Sequence, residues 1–239
     1  MNLLLLGCIL VIAHIAETTL GFGATLIALA LGVHIVPLET LIPVLVILAL
    51  LQSVWLVARW FRHIEWRILL RHILPAAGLG IPIGIWCRGL ADESQLRTIL
   101  GAFIVVVSSV ELVRLFRGKI LGGEFRWYSR IPLLGAGGIF HGLFATGGPL
   151  IVYYASRQLR TQASFRATLS MLWLVLNTVL LITFLVNAQI GPETIKMTAI
   201  VLPGLVAGIV LGSLVRVREL TFRKITYGLL FVSGLVLLI

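Results

Sequence analysis

Apolar residues dominate this chain in long runs, and polar residues collect in short islands between them. Six runs have the length and uniformity of ordinary membrane spans: residues 38–58, 73–90, 96–116, 167–186, 197–215 and 221–239. A helix needs ~20 mostly apolar residues to cross the hydrocarbon core of a bilayer. Two other apolar segments do not read as single helices. Residues 2–36 are too long for one untilted span and contain Gly21-Phe22-Gly23; residues 131–155 have a spanning length but contain Thr146-Gly147-Gly148-Pro149. The pattern predicts an all-α polytopic membrane protein whose spans are interrupted by two broken segments.

Composition agrees. Of 239 residues, 59% are hydrophobic and only 12% are charged, and the mean hydropathy is +1.09. No stretch reads as a soluble extra domain or a low-complexity tail, so a single domain embedded in the lipid bilayer is expected. Leu5-Leu6-Gly7-Cys8 superficially resembles a lipoprotein cleavage site, but no positive region precedes it and the apolar run continues past it. The start therefore reads as the first membrane segment. The two cysteines, Cys8 and Cys87, form no metal spacing and no disulfide framework. No metal and no cofactor is expected.

The formal net charge of +10 does not point to nucleic acid. The basic residues lie in short loops, where a positive excess marks the cytoplasmic face. The loops 59–72, 114–130, 157–166 and 216–224 are rich in arginine and lysine, while 88–97 and 187–196 are balanced. Placing the basic loops inside lets all six ordinary spans alternate. One conflict remains, because 114–130 and 157–166 are both inside and residues 131–155 lie between them. A re-entrant hairpin that breaks at Thr146-Gly147-Gly148-Pro149 resolves it; a kinked single span would violate the charge rule. Such a turn must be buried in protein or line a wet cavity.

The chain also repeats. Pro75-x4-Gly80-x3-Gly84 recurs as Pro203-x4-Gly208-x3-Gly212, and Gly21-Phe22-Gly23-Ala24-Thr25 holds the place of Ala145-Thr146-Gly147-Gly148-Pro149. The expected organisation is a first repeat at 1–118, a cytoplasmic connecting loop at 119–130 and a second repeat at 131–239. Each repeat is a broken segment plus three spans, and the second is inverted relative to the first. Inverted repeats with paired broken helices are a secondary-transporter architecture. The glycine pairs at i and i+4 suit close helix packing.

GLFATGGPLIVYY followed by FRATL resembles the second-half signature of the sulfite exporter family, the TauE/SafE-type membrane permeases. The likeness extends over nearly the whole chain. The first-half counterpart departs from the family pattern: it reads GFGATLIAL, with less glycine and no following proline. The resemblance implies export of sulfite or a small organosulfur anion across a bacterial cytoplasmic membrane.

The residues suit such a substrate. A half-helix N-terminus presents free backbone N–H groups and roughly half a unit of positive charge, and glycine lets an anion approach them. Two half-helices are expected to begin near Gly23 and Gly148, with Pro149 at a first helical position. The expected binding set is Thr18, Thr19, Gly21, Phe22, Gly23, Thr25, Thr146, Gly147, Gly148 and Pro149. With no lysine or arginine in mid-span, two termini favour a monoanion over an unassisted dianion.

Glu17 and His141 stand just before the two breaks. They are candidates to pair with each other or to carry a coupling proton or cation. A hydrogen-bonded packing role fits them equally. Gln52 and Asn177 lie in the spans after the breaks, where they either face the site or bond between helices. Arg166 sits at the mouth of its span, where the positive-inside rule explains it and anion attraction is a second role. His14 reads as structural, and Trp55, Trp60, Trp66 and Trp127 as interfacial. An anion channel on the same pore fits the pattern too. A membrane-embedded enzyme fits less well, because no span carries a paired metal motif or a nucleophile–base constellation. Nothing in the sequence specifies an oligomeric state.

Overall fold

Glycines decide where this chain turns and where its helices meet. The computed structural model describes residues 3–117, 127–159, 161–214 and 219–239. The first apolar segment forms α1 (Leu3–Leu20), turns, and continues as α2 (Ala24–Gly32). Gly21 and Gly23 take φ of 84° and 106° in the turn, a region that L side chains enter only under strain. A Cβ on Gly32 would touch Leu6 at 3.4 Å. The end of α2 thus lies beside the start of α1, and the segment is a helical hairpin. The second broken segment behaves alike. There α7 (Trp127–Phe144) is followed by α8 (Gly148–Gln158), and a Cβ on Gly137 would meet Ile151 at 2.7 Å.

Between the hairpins run α3 (Leu38–Trp60), a 3₁₀ turn at Phe61–His63, α4 (Trp66–Ile68), a π turn at Leu69–Ile73, α5 (Leu74–Leu90) and α6 (Glu93–Arg117). After them come α9 (Gln162–Val186), α10 (Pro192–Leu214) and α11 (Glu219–Leu238). Six stretches among the described residues are long and apolar enough to cross a membrane: Leu3–Leu20, Leu38–His63, Trp66–Leu90, Glu93–Arg117, Gln162–Val186 and Pro192–Leu214.

Several boundaries differ from the sequence reading. The basic loop expected at 59–72 is mostly helical, and only the short link at Ile64 and Glu65 lacks helix. The arginines there ride on helix ends, where long stems cover apolar surface while the heads reach water. Arg59, for example, lies over the Trp55 ring at 5.7 Å. The π turn sits just before Pro75, whose missing N–H and ring disturb the preceding turn. Similarly, α9 begins at Gln162 and α10 at Pro192, five residues before the drawn starts at 167 and 197. Among the six long apolar stretches is α1 itself, whereas the drawn span 221–239 is represented by a shorter apolar helix, Thr226–Leu238. Of the expected loop 119–130, residues 119–126 lie outside the described residues and 127–130 already belong to α7.

Two parallel helix pairs hold the hairpins in place. Along α5 and α7 contacts rise together in number: Ala77 meets Gly138, Gly80 meets Ile139, and Gly84 meets Gly142. Along α10 and α1, Gly204 meets Gly7, Gly208 meets Val11 and His14, and Gly212 meets Ile15 and Thr18. A hollow of about 940 Å³ gathers Leu38, Arg88, Asp92, Phe184 and Thr194. Those residues mark the start of α3, the end of α5, the start of α6, the end of α9 and the start of α10, so all five ends share one face. It follows that α5 and α10 run in opposite directions. Because α1 follows α10 and α7 follows α5, the two hairpins enter the bundle from opposite ends.

The glycine pairs singled out by the repeat are thus packing surfaces. A Cβ on Gly80 would stand 2.2 Å from the Gly135 carbonyl oxygen, and one on Gly138 would stand 2.0 Å from that of Ala77. Gly78, on the same helix as Gly80, has nothing within 4 Å. Gly80→Ala and Gly138→Ala should each destabilise the fold by roughly 1–3 kcal/mol, while Gly78→Ala should be neutral. Thermal melting of the purified variants in detergent checks this contrast.

Candidate functional site

The turns of the two hairpins meet. A cavity of about 20 Å³ is lined by Glu17, Gly23, Thr25 and Leu26 from the first hairpin and by His141, Ala145, Thr146, Gly148 and Pro149 from the second. Ala49 of α3 and Trp173 and Asn177 of α9 complete it. Ala49 and Trp173 lie about halfway along their helices, so the cavity sits deep between the two ends of the bundle. A single water needs about 10–15 Å³ of such space, so the cavity is narrow at this point.

The two turns begin alike and diverge just before the half-helices, where Gly23 has φ of 106° and Gly147 has φ of -62°. The Gly21 N–H donates to the Glu17 carbonyl at 2.7 Å, and the Ala145 N–H donates to the His141 carbonyl at 2.7 Å. Gly21 and Ala145 both adopt a left-handed conformation, with φ of 84° and 56°. For alanine that conformation costs roughly 1–2 kcal/mol. Glu17 and His141 therefore hold matching places, each seven residues before the first residue of a half-helix, Ala24 or Gly148.

What those two residues do differs. Glu17 is only 3% exposed, and its Oε2 accepts a hydrogen bond from the Ala24 N–H at 3.0 Å. It caps α2 from within α1. Among the described residues no salt bridge to Glu17 is seen; Arg97 pairs with Glu93 and Arg114 with Glu111. His141 is 1% exposed and stacks on Trp173, with ring centroids 5.8 Å apart. Its ring nitrogens make no hydrogen bond of good geometry, and the Asn177 side chain is the polar group close enough to interact with them. Glu17 and His141 thus face one cavity without bonding to each other.

The N-terminus of α8 has no side-chain cap, and Pro149 sits in its first turn, where the missing N–H is not needed. Around this terminus the Thr146 hydroxyl and the Asn177 carbonyl oxygen are also buried without a hydrogen bond of good geometry. Buried polar groups are nearly always hydrogen-bonded. His141, Thr146 and Asn177 thus bring weakly satisfied polar groups to one cavity at the start of α8. Gly147 and Gly148 divide the work. A Cβ on Gly147 would stand 2.0 Å from the Gly137 carbonyl oxygen, so glycine there lets the hairpin close. A Cβ on Gly148 would meet only Trp173, at 3.9 Å.

Other expected site residues lie elsewhere. Thr18 donates to the His14 carbonyl at 2.7 Å, and Thr19 to that of Ile15 at 2.7 Å, so both hydroxyls serve their own helix. Gln52 bonds His14 Nδ1 at 2.5 Å and donates to Thr18 at 2.9 Å, tying α3 to α1. Because its amide N–H₂ faces two acceptors, its oxygen faces His14, and His14 Nδ1 is the donor. Phe22 packs edge-on against Phe165, with centroids 6.3 Å apart, and a Cβ on Gly21 would lie 3.1 Å from Arg166 Cα. Gly21, Phe22, Gly147 and Arg166 are not among the lining residues. Trp173 was not picked out by the sequence reasoning, although a mid-span indole must find a partner for its N–H. It donates to the Gly21 carbonyl at 3.2 Å and so links both hairpins.

A family model described as "Sulfite exporter TauE/SafE" matches residues 5–237. The chain belongs to this family. Its members are membrane transporters, which sets the enzyme reading aside. Over 178 residues the chain is 28% identical to the "Probable inner membrane transporter protein TsaS" of Comamonas testosteroni, covering 73% of each protein. Over 225 residues it is 23% identical to the "Probable sulfite/organosulfonate exporter TauE" of Cupriavidus necator, covering 91% of this chain and 86% of that one. No solved structure is a significant match.

The two glycines of this sulfite exporter family member should separate folding from transport. Gly147→Ala should destabilise the fold by roughly 1–3 kcal/mol, seen as a lowered melting temperature. Gly148→Ala should melt like the wild type yet transport at least about tenfold less, because one methyl group fills the mouth of α8.

Proposed function

We propose that this protein is a secondary carrier that exports sulfite or a small organosulfur monoanion across a bacterial cytoplasmic membrane. The substrate sits near the middle of the bilayer, in the cavity between the two half-helix N-termini. The observation that carries this reading is the convergence of both termini, with weakly satisfied buried polar side chains, on one cavity halfway along α3 and α9.

The electrostatics favour an anion of low charge. Each helix terminus contributes about half a positive unit, and no lysine or arginine lines the cavity. Backbone N–H groups and polar side chains can replace the hydration of an oxyanion without a permanent counter-charge, and among the described residues Glu17 is the one acidic group on the cavity wall. The relative named as a sulfite/organosulfonate exporter supports the substrate class and direction. The relative named as an inner membrane transporter supports the location.

We read the two halves as inverted repeats in the membrane. The helices α5 and α10 occupy corresponding places and run in opposite directions, and each packs parallel to the first arm of the other half's hairpin. Both hairpins are then re-entrant, one from each side. Their short arms are buried in protein, as helical breaks at membrane depth require. A cavity of about 20 Å³ is not a continuous pore, which favours a carrier over a channel.

Counterflow in proteoliposomes tests the proposal. Vesicles preloaded with unlabelled sulfite or methanesulfonate should take up the labelled anion faster than empty ones, and acetate should compete weakly. Flux without trans-stimulation would mark a channel, and no flux of any sulfur oxyanion would overturn the substrate class.

A further inference from the structure

The two half-helix termini hold corresponding places in their hairpins but are provisioned differently. Seven residues before Ala24 stands Glu17, whose carboxylate already holds the Ala24 N–H at 3.0 Å. At the matching position before Gly148 stands His141, which does not cap α8 and whose nearest polar neighbour is the Asn177 side chain. One terminus thus carries a covalently attached carboxyl group, and the other opens onto the cavity beside Thr146, His141 and Asn177, each at most 3% exposed.

We propose that Glu17 is a tethered anion occupying the α2 terminus, so that substrate binds at the α8 terminus alone and each anion bound brings one proton to Glu17. This rests on reading the cavity as an anion site. Glu17 and Gly148 line the same cavity of about 20 Å³, so a bound anion stands within a few ångströms of the carboxylate. Few charges are placed to shield the pair. His14 on α1 is engaged by Gln52, His141 faces the cavity from α7, and Arg166 on α9 packs against Gly21. Among the described residues, α2 and the part of α10 around Gly208 and Gly212 that meets α1 carry no titratable side chain. The proton comes from solvent and adds to a Glu17 carboxylate oxygen, so the site's net charge is unchanged when a monoanion enters. In its protonated form Glu17 still offers a carbonyl oxygen to the Ala24 N–H.

Methanesulfonate is the probe, because it stays a monoanion at every pH of interest, whereas sulfite takes up its own proton near neutrality. Titration calorimetry of the full-length protein in detergent, in two buffers of different ionisation enthalpy, counts protons taken up on binding. About one proton per anion is expected in the alkaline part of a range from about pH 5 to about pH 9, with affinity falling about tenfold per pH unit there. Glu17→Gln keeps an oxygen for the Ala24 N–H; it should bind with no proton uptake and no pH dependence. Binding to the wild type without proton uptake at any pH in that range would overturn the inference while leaving the anion site standing. So would a Glu17→Gln variant that keeps the wild-type pH dependence. If neither protein binds methanesulfonate, sulfite or thiosulfate, the anion-site reading itself fails, and this inference with it. The wild-type measurement decides the matter even if the variant does not fold.

Discussion

The structure depends on one constraint: backbone groups freed by a broken helix deep in an apolar bundle must find partners inside the protein. Two hairpins bring two sets of free N–H groups to the same depth, where unsatisfied donors cost several kcal/mol each. The rest of the bundle serves that requirement. Both short arms are buried against other helices, Trp173 bonds the Gly21 carbonyl, and Glu17 bonds the Ala24 N–H. Glycine stripes on α5, α7 and α10 bring neighbouring backbones close enough to hold the hairpins there. What these partners leave over is the α8 terminus and its weakly satisfied polar side chains.

The energetics explain why the two termini are not both left open. A second unit negative charge about 4 Å from the first costs about 4 kcal/mol at an effective dielectric of about 20. That is roughly a thousandfold in occupancy. An ionised Glu17 therefore opposes an anion in the same cavity, and a neutral one does not. Two open termini would leave more donors than a small oxyanion could satisfy whenever the cavity emptied. A permanent cation would hold the anion too firmly to release. A carboxylate on a short tether avoids both problems, since it satisfies α2 at all times and can be neutralised when needed.

Much of this was legible in the chain. Apolar run length marked five of the six long apolar stretches, while α1 was read as part of a broken segment and 221–239 proved to hold a shorter apolar helix. The Gly21-Phe22-Gly23 and Thr146-Gly147-Gly148-Pro149 breaks gave the hairpin turns, because glycine and proline mark where a helix cannot continue. The starts of α2 and α8 fall where Gly23 and Gly148 placed them. Helix ends were less readable, since Arg59, Arg67 and Arg71 look like loop residues yet ride on helices. Which hydroxyls face the cavity was not readable either. Thr18 and Thr19 turn to their own backbone, a choice set by one or two residues of helical phase. The cap on α2 was hidden for another reason: Glu17 and Ala24 are seven apart in sequence, and only the left-handed glycines fold one onto the other. Ala145 was unexpected in the left-handed region because nothing local favours it; the closure of α8 onto α7 holds it there.

The parallel pairs also bear on how a carrier built this way would move. Each hairpin's first arm packs on a helix from the other half, α1 on α10 and α7 on α5, through glycine contacts with no slack: a Cβ at Gly84 or Gly138 would stand 2.1 or 2.0 Å from a carbonyl oxygen. Contacts that tight move as rigid units, because packed interfaces switch between discrete arrangements and do not deform smoothly. On the carrier reading, α1 with α10 and α7 with α5 are the two bodies, and the cavity lies where their turns touch. Trp173 spans that junction, with His141 of one hairpin stacked on its ring and Gly21 of the other bonded to its indole N–H. Relative rocking must break one of those contacts first. The hydrogen bond to Gly21 is a directional one of 3.2 Å, while a stacked pair tolerates sliding. On that reading the first hairpin would be the one to part from Trp173, carrying Glu17 away from the anion.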